Sequence, residues 1–385
     1  MYSLIDIINF KSIKRAKAKL PSFGAIVGKN AAGKTNLIQS IQFIRDLASG
    51  KTTSEAQKSI SLIPNELFNF NEGNTEFEVD IMIKLKDESQ YTFCVKIGLL
   101  NGAIKPAVLI ISHEKLYKYY DDDNKDIIYI RDKDSLKDKN EIGIPVAVDS
   151  NKLALAVYKT SETELIKEFF LNTVIPDVEL INNMESVALG STEAEYSNLA
   201  SIIVNLHHNH QQAYENFQVI IKKLLPHFSS LIEIPSKSGE ASESPEKENY
   251  LIVLEERNLK QKLSMQSVSS GDLKTLFLIA TTLNMDDYST LIIEEIENGM
   301  HPKRIVDLIE QLETISKIKK MQILFTTHSP IVINKISPSE VVLTDRDSDK
   351  GTLFTLLEES EQISKIKKYL QEGGNLTDYL YTNRY

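Results

Sequence analysis

The sequence predicts an α/β fold of two lobes, the first rich in strand and the second alternating helix with strand, with a helical insertion between them. Three observations carry this prediction. Apolar residues alternate at period two in Phe77-Val79-Ile81-Ile83 and in Tyr91-Phe93-Val95-Ile97, the pattern of strands that bury one face. A glycine-rich stretch, Gly28 to Thr35, separates an apolar run from a helical period. Beyond Gly271 the order becomes helix, strand, helix, strand, which implies parallel pairing because crossover helices return the chain in the same direction.

Residues 4–10, 16–20 and 23–27 read as short strands, with Pro21 and Ser22 as a turn. From Thr35 onward Leu37, Ile41, Ile44 and Ala48 share one helical face, and Gly50 stops the helix. Residues 86–89 turn a hairpin between the two alternating runs. Residues 119–141 set Asp121-Asp122-Asp123 and further charge around the apolar 127–130, an expected exposed hairpin or loop. Residues 151–232 have helical spacing, as in Leu165-Phe169 and Phe217-Ile221-Leu224, and 235–249 is a Ser-, Glu- and Lys-rich linker. Helices are then expected around Leu273-Leu276-Phe277-Ala280-Leu283 and over 305–315, and strands at 290–293, 322–326 and 341–343. The expected division is a first lobe at 1–118, insertion and linker at 119–249, and a second lobe at 250–385.

Composition narrows the function. Hydrophobic residues make up 42% and charged residues 25% of the 385 residues, so the chain has the means to bury a large core. Lys plus Arg is 44 against 54 Asp plus Glu, a net charge of −10, the wrong sign for gripping nucleic acid over the whole surface. One cysteine, Cys94, excludes an intrachain disulfide and any multi-cysteine metal site. No run of eighteen apolar residues occurs, so a cytoplasmic protein without a membrane span is expected.

Gly28-Lys29-Asn30-Ala31-Ala32-Gly33-Lys34-Thr35 matches GxxxxGK[ST] between strand and helix, the context a P-loop requires. Such a loop turns backbone N–H groups and a helix N-terminus toward phosphates. Asn30, Ala31, Ala32, Gly33, Lys34, Thr35 and Asn36 are therefore expected to bind ATP, with Lys34 on the β/γ oxygens and Thr35 on Mg²⁺. Leu291-Ile292-Ile293-Glu294-Glu295 is an apolar strand running into two carboxylates. Glu294 is expected to hold the Mg²⁺ shell and Glu295 to orient or deprotonate the attacking water. Thr326-Thr327-His328-Ser329-Pro330 ends another strand with His328, placed to report on the γ-phosphate.

Ser269-Ser270-Gly271-Asp272 resembles the degenerate signature motif of ABC-type ATPases, and Glu297-Asn298-Gly299-Met300-His301-Pro302 resembles the D-loop after their Walker B strand. With Asn9-Phe10-Lys11-Ser12 and His328, the set is similar to the SMC, RecF and OLD-like branch, and closest to the short AAA-type ATPases of bacterial anti-phage and abortive-infection operons. The resemblance covers residues 1 to about 100 and 250 to about 345 and omits the insertion. It implies a two-lobed ABC-type P-loop ATPase head. It also implies a head-to-head homodimer in which Ser269 and Gly271 of one subunit close over the γ-phosphate held by the other. Glu294 departs from the aspartate usual there, so slow turnover is expected, and the sequence marks no Q-loop glutamine.

Other candidates carry less. His207-His208-Asn209-His210 reads as a solvated helix because no acid or cysteine nearby in sequence completes a ligand set. Asp345-Arg346-Asp347-Ser348-Asp349 offers an acidic cluster, but the 36 residues after it (385 − 349) are too few for another α/β nuclease domain. It is read as a polar turn, and nuclease or toxin activity is assigned to a separate effector chain. Lys11, Lys14, Arg15, Lys17 and Lys19, with Lys317-Lys319-Lys320 and Lys365-Lys367-Lys368, form basic strips that keep nucleic acid as a second candidate partner. The expected function is ATP hydrolysis that controls the effector in anti-phage defence. The alternatives are a RecF-like DNA-repair ATPase and a slow-turnover scaffold that sequesters a toxic partner.

Overall fold

Strand β1 (Tyr2–Phe10) turns through Lys11 and Ser12 into β2 (Ile13–Lys19), antiparallel with Phe10 opposite Ile13. The chain then leaves that sheet through β3 (Phe23–Gly28) and enters α1 (Lys34–Ala48) and α2 (Thr53–Ser59). In this computed structural model the residues described are 1–60, 64–68, 75–100, 108–120, 125–131, 144–146, 148–176, 186–188, 199–236, 249–257 and 259–384.

The alternating runs form the expected hairpin. Strands β4 (Glu76–Lys84) and β5 (Gln90–Leu100) pair antiparallel, with Phe77 opposite Ile97 and Ile83 opposite Tyr91. They continue into β6 (Val108–Tyr119), β7 (Lys125–Arg131) and the short β8 (Ile144–Pro145). The first sheet has the order β2-β1-β4-β5-β6-β7-β8. Its inner face buries Ile5, Ile7, Val79, Ile81, Phe93 and Val95 at 0% exposure, so the period-two pattern does place one face in the core. Within the stretch expected as an exposed hairpin, 127–130 belongs to β7 and Tyr129 is fully buried, while 121–124 and 132–143 lie outside the described residues.

The stretch expected as a helical insertion is built into the rest of the molecule. It contains α3 (Ser161–Leu171), β9 (Thr173–Val174), β10 (Ser186–Ala188), α4 (Leu199–Asn209), α5 (Gln211–Leu224) and β11 (Phe228–Ser236). Strand β9 is an edge strand of the central sheet. Strand β11 pairs antiparallel with β12 (Asn249–Glu256), so the expected boundary at 249/250 falls between two partners of one sheet; residues 237–248 of the expected linker lie outside the described residues. Strand β13 (Lys262–Ser264) completes that sheet. Local periodicity identified helices here but carried no information about which core they serve.

The remaining elements are α6 (Ser270–Asn284), β14 (Thr290–Ile293), α7 (Pro302–Lys319), β15 (Gln322–Thr327), α8 (Pro330–Lys335), β16 (Val341–Asp347), β17 (Gly351–Leu356), α9 (Ile363–Gln371) and α10 (Leu376–Arg384). The central sheet has the order β17-β16-β3-β15-β14-β9, all parallel except β17. Asp345 and Asp347 lie within β16 and not in a turn beyond it.

Successive residues of the central strands sort to opposite sides, which makes the fold three-layered. Ala25, Val27, Ile293, Phe325 and Leu343 face a core shared with α4, α5, α6, α7 and the C-terminal helices. Ile26, Ile292, Leu324 and Val342 face a second core shared with α1, α3 and the first sheet. A buried amide ties the layers together. The Gln322 carboxamide donates to the carbonyls of Tyr2 and Pro21 at 2.8 and 2.9 Å, and its oxygen accepts the Tyr2 N–H at 2.8 Å.

Candidate nucleotide-binding site

The P-loop geometry follows from its residue types. Gly33 has φ +114°, which a side chain resists, and a Cβ there would sit 2.6 Å from Thr352 Oγ1. Ala31 is also left-handed, at φ +61°. Left-handed residues on either side of Ala32 give the alternation that turns successive N–H groups to one side. The N-terminus of α1 receives no side-chain cap and has no acid in its first turn, so its dipole remains available to an anion. Lys34 is 7% exposed, and its ammonium donates to the carbonyls of Gly28 and Lys29 at 2.9 Å each. Asn30, Ala31 and Thr35 are exposed, Asn36 is half-buried, and Ala32 and Gly33 are buried.

A buttress that the sequence did not reveal supports the loop from behind. Asn36 Nδ2 donates to Ser12 Oγ at 2.6 Å, Ser12 Oγ lies 2.9 Å from Thr352 Oγ1, and Thr352 Oγ1 donates to the Ala32 carbonyl at 2.9 Å. Thr352 is 0% exposed and comes from β17, over three hundred positions away in sequence. Only tertiary pairing brings it there.

The acidic strand end and the histidine strand end are adjacent because β14 and β15 are parallel neighbours. Glu295 has φ +45°, a conformation costing roughly 1–2 kcal/mol for a residue with a side chain. It is held by its N–H donating to Thr326 Oγ1 at 2.8 Å and by Lys274 of α6, whose ammonium donates to its carbonyl at 2.7 Å. Asn298 donates its side-chain amide to the Glu295 carboxylate. Buried Ile296 anchors the turn, with Glu295 and Glu297 on either side of it. The Glu297 carboxylate accepts the His328 N–H at 2.6 Å.

Electrostatics show which groups share a site. Burial lowers the Lys34 pKa, and the carboxylates of Glu295 and Glu297 oppose that effect. Burial first, then the Lys34 charge, lowers the His328 pKa, while Glu297 and Glu295 act against it. Lys34, Glu295, Glu297 and His328 therefore occupy one neighbourhood, although they come from three separate parts of the chain. Glu297 was legible only as part of the D-loop stretch; its signal was a second acid two positions beyond Glu295, across a buried isoleucine. Glu294 acts on Lys11, whose pKa is lowered mainly by burial and raised by Glu66 and Glu294.

Ser269 and Gly271 contact a different part of the assembly. Ser269 is exposed and caps α6, its Oγ accepting the Asp272 N–H at 3.2 Å. Gly271 is pressed against the D-loop: a Cβ there would lie 2.4 Å from the Gly299 carbonyl oxygen. Arg304 Nη1 and His227 Nε2 approach the Asp272 carboxylate at 2.5 and 3.3 Å. The signature stretch is thus joined within the chain to the D-loop and the turn carrying Glu295.

Two other expectations meet the structure here. The histidine run is not simply solvated: His207 and His208 each lie 3.0 Å from Glu233, which the β11 strand supplies from 25 and 26 positions away. Most of the basic strips are engaged with partners. Lys17 pairs with Asp6 at 3.2 Å, Lys19 with Glu359 at 2.6 Å and Lys367 with Glu358 at 2.6 Å, and Lys319 donates to the carbonyls of Leu283 and Met285.

Parallel central strands, a P-loop on β3, paired acids after β14 and a histidine after β15 define a nucleotide-binding P-loop ATPase head of the SMC and OLD-like ABC class. The chain belongs to the AAA-domain family described as putative AbiEii toxin, type IV toxin–antitoxin system, which matches residues 23–334. It is 23% identical to the Old nuclease of Escherichia phage P2 over 94% of this chain, and spans 62% of that relative's length. In fold it is similar to an SMC head bound to the C-winged helix domain of ScpA, with TM-score 0.53, 14% identity, and coverage of 92% of this chain and 96% of that one. An SMC head with an extended coiled coil, bound to the C-terminal domain of ScpA derived from Pyrococcus furiosus, gives TM-score 0.51 at 13% identity over 96% and 98% of the two chains. Among the described residues no helix is long and apolar enough to cross a membrane.

Proposed function

We propose that the chain binds ATP with Mg²⁺, hydrolyses it slowly between two heads, and uses that cycle to control a separate effector, a nuclease or toxin, in anti-phage defence. The observation that carries this reading is the shared electrostatic neighbourhood of Lys34, Glu295, Glu297 and His328. Lys34 and the N–H groups of Asn30 to Asn36 hold the phosphates. The Thr35 hydroxyl and the Glu294 carboxylate form an oxygen-only donor set that suits a hard cation, and Mg²⁺ held there would neutralise charge on the phosphates.

Glu295 orients the attacking water and accepts its proton. Its left-handed backbone directs it out of the strand, and Asn298 and Lys274 hold the turn. His328, kept neutral by burial and by Lys34, can donate to or accept from the γ-phosphate region. Ser269 and the N-terminus of α6 are the groups a second head would bring over the phosphate. Contacts from Gly271 to Gly299 and from Lys274 to Glu295 would carry closure of that interface to the attacking water.

The test is nucleotide binding and turnover by Lys34→Ala beside the parent. Turnover should fall about 100-fold or more, with weaker ATP binding. Parental binding and hydrolysis in that variant would remove the reading. A scaffold that binds ATP and scarcely cleaves it is the second reading, supported by glutamate at position 294. Under it, Glu295→Gln retains both assembly and effector inhibition.

A further inference from the structure

Away from the nucleotide site, helix α4 ends in two adjacent histidines whose rings converge on one carboxylate oxygen. His207 Nδ1 and His208 Nε2 both lie 3.0 Å from Glu233 Oε2 on β11. The three residues offer ligand atoms that all fall within 4.8 Å of one another. The Glu233 side chain is only 6% exposed, yet its other oxygen, Oε1, is buried with no hydrogen-bond partner. His207 Nδ1 is likewise buried without a hydrogen bond, despite its short approach to Oε2. An acidic group buried this deeply normally has every oxygen satisfied. The cluster has the electron pairs of a ligand set and lacks the cation they would share.

We infer that His207, His208 and Glu233 form a binding site for a divalent transition cation, Zn²⁺ foremost. Two imidazoles and one carboxylate are the donor set that borderline cations prefer and that Mg²⁺, which seeks oxygens, does not. Around a tetrahedral cation with bonds of about 2.0–2.1 Å, ligand atoms stand about 3.3 Å apart, so the observed 3.0 Å separations need a shift of only tenths of an ångström. The His207 ring is already oriented by stacking on Tyr214, with centroids 4.4 Å apart. Three protein ligands leave a fourth position for water or for a group from a partner.

The cation would also act as a staple. It joins the end of α4 to β11, and α4 is packed in the same core as α6, with Asn205 donating to Asn284 at the end of α6 at 2.7 Å. Strand β11 begins beside His227, which reaches Asp272 at the start of α6. Occupancy would therefore stiffen the support of the signature helix from both ends.

The site does not rest on the ATPase reading, and its test uses no nucleotide. The purified full chain, stripped with chelator and dialysed, is titrated with zinc chloride by calorimetry, with bound metal counted by elemental analysis and thermal unfolding followed in parallel. One equivalent of Zn²⁺ per chain is expected, with a rise in Tm that millimolar Mg²⁺ does not reproduce. His208→Ala, at the exposed end of the helix, and Glu233→Gln should each weaken binding about tenfold or more and abolish the Tm rise, while Lys34→Ala should bind Zn²⁺ as the parent does. Circular dichroism confirms that the variants fold, and His208→Ala alone decides the matter if Glu233→Gln does not. Absence of stoichiometric uptake by the parent, or undiminished uptake by folded His208→Ala, would leave a hydrogen-bonded cluster only and overturn the inference.

Discussion

His328 lies between charges of opposite sign, and its titration is the most local report on the site. Burial and Lys34 lower its pKa below the ordinary 6.5, while Glu297 and Glu295 hold it up. Lys34→Ala should therefore raise the value and Glu297→Gln should lower it further, as read by NMR of the imidazole protons. Shifts in the same direction, or none, would separate these residues. The linkage has a definite sign. Because the folded value is depressed, the unfolded chain binds this proton more readily, so the contribution of neutral His328 is present above about pH 6.5 and lost as the pH falls below it. At this scale Lys34, Thr35, Glu294, Glu295 and His328 were legible because each closes a strand with a chemically marked residue. Thr352 and Glu233 were not, since nothing local distinguishes a threonine that props a P-loop or a glutamate that meets two histidines.

Among elements, the pairing of β1 with β4 carries a titratable strain. Asp6 and Asp80 are cross-strand partners, and each has a buried oxygen without a hydrogen bond. Burial, aided by the carboxylates of Glu78 and Asp6 and opposed by a hydrogen bond from the Cys94 thiol, raises Asp80 from 3.8 to about 6. A raised folded value means that the protonated form supports folding at low pH and that this support is lost as the pH rises through about 6. Asp80→Asn should accordingly stabilise the chain at pH 7 by roughly 1–2 kcal/mol and change little at pH 4, measured by urea unfolding at both values. A stability loss at pH 7 would show that the carboxylate is paired after all. At the junction of α6 with the D-loop, Gly271→Ala places a methyl 2.4 Å from the Gly299 carbonyl oxygen. It should displace the turn that carries Glu295 and reduce turnover about tenfold or more while secondary structure persists. Wild-type turnover would mean that signature helix and D-loop move freely of one another. Element types were largely readable from period. The assignment of α4 and α5 to the main core was not, because a helical face records that it is buried and not against what.

For the whole molecule, the decisive contacts join segments that the sequence keeps far apart. Gln322 links the first sheet to the central one through Tyr2, at a separation of 320 positions, with its amide satisfied on both oxygen and nitrogen. Gln322→Ala should cost about 2–3 kcal/mol, since it leaves buried backbone groups of Tyr2 and Pro21 without partners. A change below about 0.5 kcal/mol in denaturant unfolding would show that the two sheets are held by apolar packing alone. The same long-range logic builds the site: β3 supplies the loop, β14 the acids, β15 the histidine and β17 the support beneath, and parallel pairing aligns their ends on one edge.

That alignment on a single triphosphate is tested most directly by Glu295→Gln, measured for ATP binding, turnover and sedimentation together. The account predicts that the variant binds ATP with parental affinity, loses turnover by about 100-fold or more, and sediments as an ATP-dependent dimer. Hydrolysis at the parental rate by a properly folded Glu295→Gln chain would contradict it.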